Sequence, residues 1–408
     1  MDVSRLAARA RVLTAAVILL AGCSSPSSPP TPAPSTSASN LHAGAGLTTP
    51  TGDASGIAEV SSRDLPGGGR ELSLPLPEGP YTPSAPSGGT DDYRCFLLDP
   101  GITSDTFLSG VEVVPGNAAV VHHAILFHVP ADQAAAAERV DAESPGQGWT
   151  CFGGSGIPTG GGPGSQLADA GWLGAWAPGG EPVSYGDRAG MPMGAGSRVV
   201  LQLHYNLLAG DGPDSTGVRL RLAAPGSDLV ALRTMLLVAP VELACTDQEI
   251  GPLCDRDYSL QDLAKRFGSE SRDTVAGLQL LCGGGTFRPT PSATQQCDRR
   301  VTKPMTIYSV AGHMHLLGRR IRVTLNPGQD SSLRLLDIPV WNFDDQGATA
   351  LERPAAVAFG DVLRVRCTWD AGLRSMLPAL SDSPPRYVTW GEGTSDEMCL
   401  AILTVGDS

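Results

Sequence analysis

The chain is expected to be an all-β protein, built as two tandem antiparallel β-sandwich (jelly-roll) domains. Three observations predict this. From about residue 91 onward, short runs rich in Val, Leu, Ile and Tyr recur, separated by Gly, Pro, Asp and Asn. Helical periodicity is confined to two short stretches, 132–140 and 260–267. The glycine-rich segments 153–164 and 283–285 read as loops between strands.

The first element is not part of the fold. Arg5, Arg9 and Arg11 precede a short apolar run, 12–20, and Leu20-Ala21-Gly22-Cys23 follows. A basic flank, a run too short to span a bilayer and small residues before a cut describe an export signal, 1–22. The Leu-Ala-Gly-Cys ending resembles a bacterial lipobox, which implies cleavage before Cys23 and lipidation there. The expected protein is exported and lipid-anchored to a bacterial membrane, on the outer face of the cell membrane or in the outer membrane and periplasm. Residues 23–90 are dominated by Pro, Ser, Thr, Gly and Ala and are expected to form a disordered tether, with His42 inert within it.

The whole chain carries a net charge of −13. Residues 1–22 hold Asp2 and three arginines, a net +2, so the mature chain carries about −15. An acidic surface argues against nucleic acid as a partner. Without Cys23, eight of the nine cysteines remain: Cys95, Cys151, Cys245, Cys254, Cys282, Cys297, Cys367 and Cys399. An even number in an exported chain predicts disulfides, and the absence of Cys-x-x-Cys argues against a zinc ribbon or a redox dithiol.

Expected strands lie at 107–114, 120–129, 198–205, 217–222, 235–241, 305–310, 320–325, 333–339, 362–368 and 400–405. The strand pattern breaks at 223–227, which places a domain boundary near residue 228 and gives domains 91–228 and 229–408.

Histidine placement carries the chemistry. His313-Met314-His315 lies in a strand-like run, 306–323, where residues two apart share a face and would present two imidazoles together. His122 and His123 are adjacent, so joint ligation of one metal requires a bulge, a strand end or different ring nitrogens. His204 is the better third partner, because His128 would stand about 20 Å from His122 along one strand. Met398, in Asp396-Glu397-Met398-Cys399, offers a soft thioether that beside two imidazoles favours copper. Met191 and Met193 are expected to pack, and Asp396 and Glu397 to support their neighbours.

Six motifs now stand in order: Tyr93-x-Cys95, Val121-His122-His123, Ala175-Trp176-Ala177, Leu201-Gln202-x-His204-Tyr205, His313-x-His315-Leu316-x-Gly318 and Asp396-Glu397-Met398-Cys399. Together they resemble the copper type II, ascorbate-dependent monooxygenases, over about residues 91 to 405. The resemblance implies two coppers per chain. His122, His123 and His204 would hold the electron-transfer copper, and His313, His315 and Met398 the oxygen-binding copper. Gln202 and Tyr93 would stand behind the first set. It implies disulfides Cys95–Cys151 and Cys367–Cys399, leaving three pairings open for the other four cysteines. The implied reaction hydroxylates a C–H bond of a small molecule with O2 and electrons from ascorbate or a similar reductant, in a monomer. A copper-binding or electron-transfer lipoprotein without hydroxylase activity is the alternative. The peptide-amidating members keep an Arg where Ala311 stands, and Asn and Tyr where Leu400 and Ile402 stand. A carboxylate needs a charged or hydrogen-bonding partner, so an apolar or neutral, non-peptide substrate fits these positions better.

Overall fold

Among the described residues the strands form four sheets, antiparallel except for one pairing within the largest. The computed structural model describes residues 56–85, 90–158, 171–208, 210–282, 289–343, 345–381 and 383–407. The expected signal segment, Cys23 and His42 lie outside them.

A ten-stranded sheet runs in the order Ser61–Asp64, Arg70–Leu74, Gly217–Leu222, Thr106–Val114, Ala189–Met193, Val230–Val238, Leu400–Asp407, Met305–His313 and Thr349–Val357, with Val183–Ser184 beside Thr106–Val114. The parallel pairing joins Val230–Val238 to Ala189–Met193. A five-stranded sheet orders Trp149–Thr150, Asp91–Leu98, Arg198–Asn206, Val121–Val129 and Trp172–Trp176. A four-stranded sheet orders Thr294–Arg300, Val362–Trp369, Gly318–Leu325 and Leu333–Ile338. The all-β expectation is borne out.

Strand alternation decides which core each side chain enters. On Arg198–Asn206, Val199, Leu201, Leu203 and Tyr205 join Leu108, Val218 and Leu220 in one core. Val200, on the opposite face, joins Ile307, Val310, Ile321, Val365 and Leu403 in the other. Gln202 and His204 share the parity of Val200. The five-stranded sheet therefore turns its histidine-bearing face toward the C-terminal half.

Residues 56–85 correct the expected tether, which was drawn through residue 90. Two strands form there, and Leu72, Leu74 and Leu76 are buried in the first core. Alternation of Leu with Glu, Ser and Pro over 71–76 supplies a one-sided apolar strand that the surrounding Pro and Gly obscure.

Three α-helices occur among the described residues: Ala131–Glu143, Arg256–Phe267 and Glu270–Cys282. The third was not expected. Asp255 caps the second, its side chain accepting from the backbone N–H of Asp257 and Tyr258. The pair is fastened by Glu242, fully buried, which accepts two bonds of 2.7 Å from Arg256, one of 2.8 Å from Gln279 and one of 2.9 Å from Tyr387. No helix among the described residues is long and apolar enough to cross a membrane.

Four disulfides are present. Cys95–Cys151 and Cys367–Cys399 are the expected ones, and the open question resolves as Cys245–Cys254 and Cys282–Cys297.

Candidate metal centre

His123 and His204 face each other across two antiparallel strands, and the next register pair is Tyr205 with Val121. His122 is thus the extra residue of a β-bulge. A bulge turns its residue out of strict alternation, and here it brings adjacent histidines to one side of the sheet.

The three imidazoles meet through the same ring nitrogen. Nδ1 of His122 lies 3.3 Å from Nδ1 of His123 and 3.1 Å from Nδ1 of His204, and the remaining edge is 3.3 Å. Hydrogen bonds cannot satisfy this triangle. Each contact needs one donor and one acceptor, a neutral imidazole nitrogen is one or the other, and three atoms in a ring cannot alternate. A cation accepting three lone pairs removes the conflict. The centre of such a triangle lies its edge divided by √3, about 1.9 Å, from each nitrogen, close to the roughly 2.0–2.1 Å of an imidazole–zinc bond.

The surroundings fix the tautomer at His204. Its Nε2 donates to Asp91 at 2.8 Å, which leaves Nδ1 bare. Burial works to raise the Asp91 carboxyl, but hydrogen bonds from His204, Thr394 and Thr90 outweigh it and hold it below the usual range. Tyr93 stacks on the His204 ring at 4.0 Å and 10°, and its hydroxyl donates to the Glu392 carbonyl at 2.5 Å. Gln202 is buried and donates to the Gly154 carbonyl at 2.9 Å, steadying the chain just past Cys151. Burial, then the neighbouring imidazoles, lower the pKa values of His122 and His123 well below the ordinary histidine value.

The second set is built differently. The strand ends at His313, not at 323 as expected, because a tight turn, closed by the Gly318 N–H on the His315 carbonyl, follows at once. His315 therefore lies past the strand, and Met314 is buried. The two rings still meet, with centroids 5.1 Å apart. His313 Nδ1 donates to the Gln346 side-chain oxygen at 2.7 Å, and His315 Nδ1 donates to the Asp396 carbonyl at 3.1 Å. Both rings thus keep Nε2 as the free lone pair. Burial lowers His313 to about 4 and His315 to about 3, so both are neutral donors at pH 7.

Glu397 joins Met398 to this pair. Its fully buried carboxylate accepts from the backbone N–H of His315 at 2.9 Å, Leu317 at 2.6 Å and Met398 at 3.3 Å, and from the Trp369 indole at 2.9 Å. One carboxylate oxygen thus takes both the His315 and the Met398 amide. Burial pushes this carboxyl up to about 8, while its four donor partners favour the charged form.

The two sets adjoin. The His123 and His313 rings lie 6.1 Å apart, and Phe343 stacks on His122 at 4.8 Å. Ala311 pairs in register with Ile402, and His313 with Leu400, so the three departures noted in the sequence stand on the strand pair that carries His313. His128 bonds to Ser197, and Met191 and Met193 are buried in the first core, away from the triad. Asp91, Gln346 and Phe343 were missed. Each acts through a contact between segments distant in sequence, which no local pattern records.

Among solved structures, allantoicase of Saccharomyces cerevisiae is similar at 11% identity, covering 80% of each chain, with a TM-score of 0.14. A fucolectin from striped bass serum reaches 8% identity over 77% of this chain and 85% of its own, with a TM-score of 0.15. At these scores the likeness carries no assignment of fold or activity. The family comparison is specific. Residues 287–404 match the copper type II ascorbate-dependent monooxygenase C-terminal domain, a span that contains His313, His315, Glu397 and Met398. Over this span the chain is similar to the copper type II ascorbate-dependent monooxygenases.

Proposed function

We propose that the protein is a two-copper monooxygenase that hydroxylates a C–H bond of an apolar or neutral small molecule. The observation that carries this reading is the pairing of two unlike donor sets: three convergent Nδ1 atoms, and two Nε2-presenting imidazoles whose turn shares the Glu397 carboxylate with the backbone of the buried Met398. Three imidazoles suit a centre that passes electrons, while two imidazoles and a soft thioether favour Cu(I) with a position left for dioxygen. Copper bound at both sets supplies one-electron redox chemistry and dioxygen activation. One oxygen atom enters the C–H bond and the other leaves as water, with two electrons and two protons from ascorbate or a similar donor.

The protein's own groups orient and protect. Asp91, Gln346 and the Asp396 carbonyl fix which ring nitrogen each histidine presents. Glu397 holds the His315 turn against Met398. Ala311, Leu400 and Ile402 line the adjoining strand pair with apolar groups, which supports a substrate without a carboxylate.

The reading assigns one donor set to each side of a division near residue 228. It also holds that the chain is exported, anchored through a lipid on Cys23 and monomeric. Release of the protein from membranes by Cys23→Ala tests the anchor.

Reconstitution with copper should give two ions per chain and ascorbate-dependent oxygen uptake with a suitable substrate. Met398→Ala should abolish turnover while the His122/His123/His204 ion stays bound. A protein that binds both ions yet never consumes oxygen would be the copper-binding or electron-transfer alternative.

A further inference from the structure

The helix Arg256–Phe267 lies outside the family match, yet one of its faces packs on the segment that carries Met398. Leu263, Arg266 and Phe267 stand at i, i+3 and i+4, so they share that face. The fit leaves no room for a side chain opposite them. A Cβ on Gly391 would come within 2.7 Å of Leu263, and one on Gly393 within 2.8 Å of Arg266 and 2.9 Å of Phe267.

Arg266 makes the directed contact. Its guanidinium grips the Asp396 carboxylate in a two-pronged bond of 2.7 and 2.8 Å. Asp396 is buried, and its carboxylate also accepts the Gly393 N–H at 3.1 Å, closing the 393–396 turn. The carbonyl of the same residue accepts from His315 Nδ1. Asp262 extends the network, accepting from Arg266 at 2.9 Å and from Arg386 at 2.8 Å. Phe267 reaches the other donor set, edge-on to Tyr93 at 6.4 Å, and Tyr93 stacks on His204.

We propose that Arg266 is a positioning residue for the His313–His315–Met398 set, acting through Asp396, and that its helix braces this set from outside the family domain. The proposal rests on the copper reading above. Removing the guanidinium takes away both short bonds to the buried carboxylate and leaves it only Arg386, 3.9 Å off, so the 393–398 turn must shift to relieve it. That shift moves the carbonyl that orients His315 and the chain that presents Met398. A lysine offers a point charge in place of the planar fork and restores only part of the geometry.

The test uses full-length protein carrying Arg266→Ala, Arg266→Lys and Asp396→Asn, with Glu249→Gln as a control that breaks the Arg374–Glu249 ion pair of the C-terminal half. Cu(I) affinity is read by chelator competition, and copper–sulfur scattering by X-ray absorption. Arg266→Ala should weaken the second copper about 10–100-fold and diminish the sulfur signal, with the first copper unchanged. Arg266→Lys should recover part of the loss. The double variant Arg266→Ala/Asp396→Asn should lose no more than the sum of the two, and less if they act through one bond. Glu249→Gln should lower the melting temperature alone. Unchanged second-site affinity and sulfur signal in Arg266→Ala, or in Arg266→Lys should the alanine variant not fold, would overturn the proposal. Wild-type protein that binds no copper at this set would instead overturn the copper reading itself.

Discussion

Glu397 receives four N–H groups from three separate stretches of chain, and each of them leads to the second donor set. A glutamine there keeps the shape but turns one oxygen into a donor facing donors. Glu397→Gln should therefore destabilise the protein by about 1–3 kcal/mol, since a buried donor is left facing a donor in place of an acceptor. Chemical denaturation of the metal-free protein measures this, and a change below about 0.5 kcal/mol would show that the four bonds are not holding the turn. The sequence placed Glu397 beside Met398 and no further. Its partners at 315, 317 and 369 are remote in the chain, so nothing local announces them. His122 and His123 show the same limit. Their adjacency allowed a shared metal only through a bulge, a strand end or different ring nitrogens, and the bulge that occurs is a property of how two strands pair.

At the scale of elements, many of the longer strands were legible because period-two alternation and turn residues mark them directly, as at Gly217–Leu222, which occurs where expected. Others were not, among them Asp91–Leu98, Thr294–Arg300, Thr349–Val357, the strands before residue 85 and one helix. The strands before residue 85 are short and flanked by Pro and Gly, so composition hid their leucines. The helix Glu270–Cys282 carries Gly277 and a weak apolar stripe, and it holds its place through Gln279 and the Cys282–Cys297 bridge. This disulfide closes a loop of 15 residues. A loop of that length is worth about 3 kcal/mol through the unfolded chain. Cys282→Ser with Cys297→Ser should cost that much in an unfolding titration under oxidising conditions. No loss of stability would mean that the helix pair is secured by Glu242 and its partners without the bridge.

Across the whole molecule, the donor histidines are buried or half-buried on the inward faces of the sheets, and this burial keeps the imidazoles neutral. His313 and His315 have folded-state pKa values of about 4 and about 3, and His122 and His123 are also lowered, all by burial first. In the unfolded chain histidine titrates near 6.5. Between these limits the unfolded state binds more protons, so the metal-free protein should lose stability as pH falls from about 6.5 towards 4. Melting temperatures of the metal-free protein at pH 7.5 and pH 5 measure the effect, and equal values would show that these rings protonate freely in the folded state. The same burial explains what the sequence could carry. Donor identity and order were visible in the motifs, whereas the convergence of residues 122, 123, 204 and 313 depends on strands paired across segments distant in the chain.

The central claim is that these two donor sets insert oxygen into a C–H bond. Copper-loaded protein, ascorbate and heavy-isotope dioxygen, incubated with an extract of neutral small molecules, test it by mass spectrometry. The account predicts a product heavier by one labelled oxygen atom, dependent on copper and ascorbate and lost in Met398→Ala. Fully copper-loaded protein that yields no labelled product and consumes no oxygen would contradict it.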